Sequence, residues 1–137
     1  MAGFGVTEAQ AFLDDRAGLW LGELRLVVDA VTDDGVMVRL RYRDPLASAD
    51  GRVGPSALGA AAEGAMALAI SAPSGKVRAM RLVDQTTNFI RAVERSDVVV
   101  AGRVVRLGKS IAFAAAEIRL VSTNELVVRC TGTYALA

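Results

Sequence analysis

The chain has 137 residues, of which 53% are hydrophobic and 23% are charged, and its formal net charge is +1. This balance excludes a disordered chain and predicts a single domain over residues 1–137. The near-neutral charge and the aromatic content of 5% favour neither a nucleic-acid partner nor an anionic membrane surface.

The use of cysteine and histidine narrows the chemistry further. Cys130 is the only cysteine, so a secreted domain held together by disulfides is excluded. The first residues lack the features of a signal peptide, and no apolar run is long enough to span a membrane, so we expect a cytoplasmic protein. Histidine is absent, which removes the commonest general base, the triads built on it and most zinc sites. Any catalysis is therefore expected to depend on a carboxylate, without a metal or a resident cofactor.

A short helix and a hairpin are predicted first along the chain. Residues 7–19 carry apolar residues among polar ones at the spacing of an amphipathic helix, with Thr7 as a possible N-cap. Residues 24–28 and 36–42 are strand-like, and turn-forming residues 32–35 lie between them.

A long helix is predicted over residues 56–71. Nearly all of these residues are Ala, Leu, Gly, Met or Ile, and the segment is too long for a typical strand. Because apolar residues occur around its whole circumference, the helix should be buried on nearly all sides.

Four strand-like segments follow, namely residues 77–90, 98–107, 111–120 and 126–134. Only short turns separate them, and short connections imply antiparallel neighbours. The expected architecture is therefore α+β, with a long central helix wrapped by an antiparallel sheet of about six strands.

Glu63 is the only charged residue in the predicted helix, with Gly59 and Ala67 one turn away on either side. A carboxylate is costly to bury alone. Glu63 therefore either reaches solvent through a gap or is held in a cavity with a raised pKa, ready to act as a base or nucleophile. We favour the second interpretation because few positions on this apolar helix should be exposed to solvent.

The start of this helix is a second candidate site. Gly54, Pro55 and Ser56 lie where free backbone N–H groups and the helix dipole favour negative charge. The segment is either an oxyanion site or a Gly-Pro turn with Ser56 as the N-cap, and the two interpretations stay balanced.

Four segments carry a family resemblance. They are the run from Val53-Gly54-Pro55 to Glu63-Gly64-Ala65-Met66, then Asn88-Phe89-Ile90-Arg91, then the hairpin of residues 104–113, and the ending Cys130-Thr131-Gly132-Thr133-Tyr134. Taken in this order, they resemble the hotdog-fold acyl-CoA thioesterases of the phenylacetate-degradation type. The resemblance covers about residue 39 to the C-terminus and implies a hotdog fold.

The resemblance also implies an activity, which is hydrolysis of an acyl-CoA thioester, with coenzyme A present only as part of the substrate. By this resemblance Gly54 donates to the thioester oxygen and Glu63 activates water. Arg106 and Lys109 are candidates for the coenzyme A phosphates. The candidate substrate-binding residues are together Pro55, Ser56, Asn88, Arg106, Lys109 and Ser110. Asn88 is equally well a polar strand residue, and Lys109 and Ser110 are also typical turn residues.

A second hypothesis rests on three departures from the family pattern. Val53 stands where many relatives have histidine, and Leu82 stands where some have a Ser or Thr that holds the attacking water. Glu63 is also one residue further from Gly54 than is usual. These departures favour a non-catalytic hotdog module that binds acyl-CoA or a related acyl ligand. A dehydratase is disfavoured because that chemistry normally needs a histidine.

The expected assembly is a homodimer or a dimer of dimers. A helix that is apolar on every face needs cover, and an open sheet exposes edge strands unless two subunits join there.

Overall fold

The computed structural model describes residues 4–16 and 18–137, and these form one antiparallel sheet with a long helix packed against it. The six strands of this sheet are β1 (Val27–Thr32), β2 (Gly35–Leu40), β3 (Met80–Phe89), β4 (Val98–Leu107), β5 (Ile111–Leu120) and β6 (Leu126–Leu136). Their order across the sheet is β1-β2-β4-β5-β6-β3, and all neighbours are antiparallel. β3 is thus an edge strand. This is the hotdog architecture expected from the sequence.

The long helix spans Pro55–Ser71 and follows two shorter helices near the N-terminus, so it is named α3. Pro55 stands at the first helical turn, where its fixed φ suits the helix and its missing N–H costs nothing. Met66, Leu68 and Ile70 are fully buried against the sheet, and each such side chain contributes roughly 1.5–3 kcal/mol. The prediction of a long, mostly buried helix is confirmed.

The N-terminal segment differs from the single predicted helix. Helix α1 (Val6–Ala11) begins after Gly5, whose N–H donates to Glu8 Oε1 at 2.8 Å, so Thr7 lies inside the helix and does not cap it. A π-helical turn (Phe12–Arg16) and helix α2 (Leu19–Glu23) follow. Residues 1–3, and Ala17 of the predicted helix, lie outside the described residues.

Helix α3 approaches the sheet closely at Gly102 of β4. A Cβ atom at this position would lie 2.7 Å from the carbonyl oxygen of Ala65 and 2.8 Å from its carbonyl carbon. Only glycine allows this separation. The helix residues that face the sheet here are correspondingly small, since Ala61, Ala62 and Ala65 are fully buried.

Membrane insertion was also disfavoured by the sequence. Within residues 4–16 and 18–137, no helix is long and apolar enough to cross a membrane.

Candidate functional site

Glu63 lies on the one face of α3 that is not fully buried. The residues of this face recur every three or four positions, and they are Pro55, Ser56, Gly59, Ala60, Glu63 and Ala67. Pro55 and Ser56 are exposed, and the others are half-buried. The extra residue between Gly54 and Glu63 therefore does not turn the carboxylate into the core.

The surroundings of Glu63 favour its neutral form. Burial raises the pKa of the Glu63 carboxyl above its ordinary value, and among the described residues no hydrogen bond or nearby cation offsets this effect. Burial also raises the pKa of the Cys130 thiol and of the Tyr134 phenol, and the nearby Glu63 charge raises both further. The carboxylate thus lies near two groups that are neutral near pH 7, and within the described part of the chain it has no counter-charge, so it is a strengthened base.

Tyr134 fixes the helix beside this carboxylate. Its hydroxyl donates to the Glu63 backbone carbonyl at 3.0 Å, and its side chain is buried. In the sheet, Tyr134 pairs with Leu82 of β3. Glu63 therefore lies over the part of β3 nearest its start.

A chain of polar side chains on β3 and β6 lies beside the same helix face. Gln85 Nε2 donates to the Gly59 carbonyl at 3.1 Å and to Thr87 Oγ1 at 3.2 Å. Thr87 Oγ1 lies 3.4 Å from Cys130 Sγ. Gly59 precedes Glu63 by one helical turn, so β3 brings an amide group next to the candidate base.

The helix start differs from the expected oxyanion site. The Gly54 N–H, which the family resemblance assigns to the thioester oxygen, donates to the Leu46 carbonyl at 3.0 Å. Gly54 is itself the N-cap, so Ser56 does not cap the helix. The Ala57 N–H donates to the Gly54 carbonyl at 3.1 Å, and Pro55 has no N–H. Among the described residues, the Ser56 N–H has no backbone partner, so the free donor of this turn is Ser56.

An apolar groove of about 490 Å³ opens beside the helix start. Its apolar wall includes Val53, Pro55, Leu58, Phe89, Ile90 and Val93, and its polar rim is formed by Ser48, Arg52 and Arg91. Both arginines are ion-paired, Arg52 with Asp50 and Glu94 and Arg91 with Glu125. The groove can accept an apolar chain whose polar end reaches the helix N-terminus. Glu63 does not line it.

The remaining predicted site residues lie apart from the groove. Asn88 is exposed and pairs with exposed Arg129, whereas its neighbour Thr87 points to the helix side of the sheet. Arg106, Lys109 and Ser110 belong to the β4–β5 hairpin. That hairpin lies at the Leu82 end of β3, since Leu107 pairs with Ala112, Ala112 with Tyr134 and Tyr134 with Leu82. Phe89 and the groove lie at the other end of β3, roughly 24 Å away by strand rise.

Sequence reasoning missed two parts of this site. Gln85 and Thr87 were not among the predicted site residues. Polar residues at alternate positions of a strand lie on the same face, so this pattern could have indicated a polar face. The groove joins Phe89 and Ile90 to Leu58 across the fold, and no local pattern predicts that contact. Among the described residues, no three Cys, Asp or Glu side chains are grouped to hold a metal ion.

Solved structures with the same fold include several thioesterases. A thioesterase from Haemophilus influenzae superposes with a TM-score of 0.86 at 19% identity, covering 98% of this chain and 91% of that one. A conserved protein from Pseudomonas aeruginosa gives a TM-score of 0.80 at 27% identity, with 88% and 94% covered. A hypothetical thioesterase from Streptococcus pneumoniae, crystallised with coenzyme A, gives a TM-score of 0.73 at 13% identity, with 82% and 85% covered.

Sequence comparison agrees with the fold. No curated protein sequence matches the chain. The family model described as the thioesterase superfamily matches residues 56–127, which include all but the first residue of α3 and the whole of β3, β4 and β5. This match spans more than half of the 137 residues, and the chain therefore belongs to the thioesterase superfamily.

Proposed function

We propose that this protein hydrolyses acyl-CoA thioesters, as a member of the phenylacetate-degradation type, with Glu63 as the general base. One observation carries the proposal. Glu63 is a half-buried carboxylate whose pKa is raised by burial, and none of the residues that the structure describes places a counter-charge beside it. Burying such a carboxylate destabilises the fold, so we expect it to be retained for a function. In a chain without histidine, a carboxylate is the natural base for activating water.

Each step of the proposed reaction is assigned to a chemical group of the protein. Water transfers a proton to Glu63 while its oxygen attacks the thioester carbonyl carbon. The oxyanion that forms is stabilised by the Ser56 N–H and the positive end of the α3 dipole. When this intermediate collapses, the C–S bond breaks, and the coenzyme A thiolate takes the proton back from Glu63. The products are a carboxylic acid and the free thiol.

The complete site requires a second copy of the chain. In one subunit the groove lies at the Phe89 end of β3, and Glu63 lies near the Leu82 end. β3 is an edge strand, so two copies can pair through it antiparallel. Pairing over its full length would set Phe89 of the partner subunit opposite Met80.

This pairing would unite the separated site residues. The partner subunit's groove and helix N-terminus would meet Glu63 of the first subunit. The first subunit's Arg106 and Lys109 lie at the same end of β3, where they can reach the phosphates of a coenzyme A entering that groove. We therefore propose a homodimer, or a dimer of dimers, in which each site takes residues from two subunits.

Hydrolysis of a panel of acyl-CoA thioesters by the purified protein tests the activity. We expect turnover of at least one aliphatic or aromatic acyl-CoA, because the groove wall is apolar. The free thiol released is followed by its reaction with a disulfide dye. If no member of the panel is hydrolysed, the proposed activity is wrong.

Two observations favour a second candidate function, a non-catalytic module that binds acyl-CoA or a related acyl ligand. The Gly54 N–H is occupied by Leu46, and half-buried Leu82 offers no hydroxyl for a water. Such a protein would bind the same ligands in the same groove. It would leave every member of the panel intact.

A further inference from the structure

We propose that Gln85 binds the attacking water together with Glu63. This inference rests on the proposed hydrolase function. An attacking water has two protons. One goes to the base, and the other must be held by a second acceptor, so that a lone pair points at the thioester carbon. The Gln85 side-chain carbonyl is that acceptor.

The hydrogen bonds of Gln85 determine which way its amide faces. The Gly59 carbonyl can only accept, so the group facing it at 3.1 Å must be the amide nitrogen. The second N–H of that nitrogen goes to Thr87 Oγ1. Both donors of Gln85 are therefore used within the protein, and its carbonyl Oε1 has no partner among the described residues.

The same bonds and the strand register indicate which end of β6 Oε1 faces. Thr87 pairs with Cys130, and Gln85 pairs with Gly132. The amide nitrogen, which bonds to Thr87, therefore points toward the Cys130 end of β6. The carbonyl oxygen is on the opposite side of the amide, which is the Tyr134 end. Tyr134 is the residue that holds the Glu63 backbone.

Thr87 and Cys130 hold Gln85 in this orientation. Thr87 accepts from Gln85 and can donate to Cys130 Sγ at 3.4 Å, and Cys130 Sγ donates to the Thr131 carbonyl at 3.8 Å. The network therefore fixes the amide nitrogen of Gln85 and leaves its carbonyl Oε1 as an acceptor without a partner among the described residues.

Gln85 thus takes the role that the family resemblance gives to a Ser or Thr at position 82. Leu82 is apolar and cannot hold water, whereas Gln85 lies three residues further along β3 and is half-buried. A carbonyl acceptor at this place lets Glu63 remain the only group that changes protonation.

The test compares Gln85→Met with the wild type on an acyl-CoA that the wild type hydrolyses. Methionine has nearly the same length and shape but neither an acceptor nor a donor. We expect kcat to fall roughly 10- to 100-fold, the effect of losing one well-placed hydrogen bond in the transition state. KM should stay within a few-fold, because Gln85 does not line the groove.

Two further variants separate water binding from a structural role. Thr87→Val keeps Oε1 but removes the hydroxyl that orients it, so kcat should fall several-fold at unchanged KM. Thr86→Val, on the exposed face of the same strand, is the matched control and should leave both constants unchanged. Thermal unfolding of each variant measures its stability.

The outcomes are distinguishable. If Gln85→Met and Thr87→Val lower only the melting temperature and keep the wild-type kcat, Gln85 merely braces α3 and the inference is wrong. If Gln85→Met does not fold, an unchanged kcat in Thr87→Val overturns the inference alone. A wild type that hydrolyses nothing overturns the proposed function as well.

Discussion

At the scale of single residues, the proposed activity depends on Glu63. Glu63→Gln keeps the shape of the side chain but removes the base, so we expect thioester turnover to fall about 100-fold or more. Ligand binding and the fold should be retained. Turnover is measured with the best substrate of the acyl-CoA panel, and binding is measured by the ligand-induced rise in melting temperature. Turnover within a few-fold of the wild type would eliminate the mechanism and leave the fold assignment intact.

Because the pKa of Glu63 is raised, the stability of the folded protein should depend on pH. Between the pKa of the unfolded chain and the higher pKa of the folded protein, the folded state binds more protons, so the free energy of unfolding falls as pH rises. Above that window the folded protein carries the full cost of the buried charge. Cys130 and Tyr134 face Glu63 but stay neutral there, because their pKa values are raised.

Urea unfolding at a series of pH values measures this effect. The stability of the wild type should decrease from mildly acidic toward neutral pH, by more than in Glu63→Gln. The variant should equal or exceed the wild type in stability at neutral pH. Identical pH profiles would mean that the carboxylate is fully solvated. In the active enzyme, the same raised pKa should appear as the acidic limb of the kcat profile.

A candidate site residue was predictable where its side chain differed sharply in character from its neighbours in the sequence. A single charge inside an apolar helix drew attention to Glu63. The Gly54 N–H was expected to face the thioester but donates to Leu46 in this structure, and a loop-to-loop hydrogen bond leaves no trace in local sequence. Gln85 was missed because a polar residue is ordinary in a half-exposed strand.

At the scale of elements, the β4–β5 hairpin is the predicted site for the phosphates of coenzyme A. Arg106→Ala or Lys109→Ala should reduce the rise in melting temperature that coenzyme A causes, because each removes one positive charge from the hairpin. Arg52→Ala is the matched control at the groove rim, where the guanidinium is already paired with two carboxylates. Thermal unfolding with millimolar coenzyme A gives the comparison. If only Arg52→Ala weakens the effect, the phosphates bind at the rim of the groove.

Strand and helix bounds were predictable where strong turn signals enclosed them. The predicted bounds 98–107 and 111–120 are those of β4 and β5, because Gly108 and Lys109 mark a tight turn. The strand predicted at 24–28 in fact begins at Val27. Leu24 closes α2, and Arg25 adopts a positive φ of 54°, which interrupts extended backbone.

At the scale of the whole molecule, the open edge of β3 is the main prediction. Val83, Phe89 and Ile90 lie on or just after this edge strand and are about half exposed, which is unfavourable for an isolated subunit. Light scattering coupled to size exclusion should show a dimer or tetramer and no folded monomer at micromolar concentration. A stable monomer would contradict the shared site.

Subunit mixing tests whether the site is shared. Gly54→Val narrows the groove, and Glu63→Gln removes the base. If each site combines the groove of one subunit with the base of the other, a mixture of the two inactive variants should recover activity that neither shows alone. Recovery requires subunit exchange, which is obtained by co-expressing the two chains.

The strand order was not predictable from periodicity. Short turns indicate that β4, β5 and β6 are neighbours, but they do not indicate that β3 pairs with β6 at the far edge. Between β2 and β3 the chain forms α3, which packs against all strands from β2 to β6. Only the family resemblance implied the strand order, through the hotdog fold.

The contact between Gly102 and Ala65 has a consequence for how this chain can vary. The nearest atoms to a Cβ at position 102 are the backbone oxygen and carbon of Ala65, so no smaller side chain on the helix can make room for it. A substitution there must lift α3 and, with it, Glu63, two residues earlier along the same helix. A screen for inactive variants would therefore identify position 102 as well as the positions of the reacting groups, although residue 102 touches no ligand. A second mutation that restores activity would have to move the helix axis, because a smaller neighbouring side chain would not relieve the clash with the Ala65 backbone.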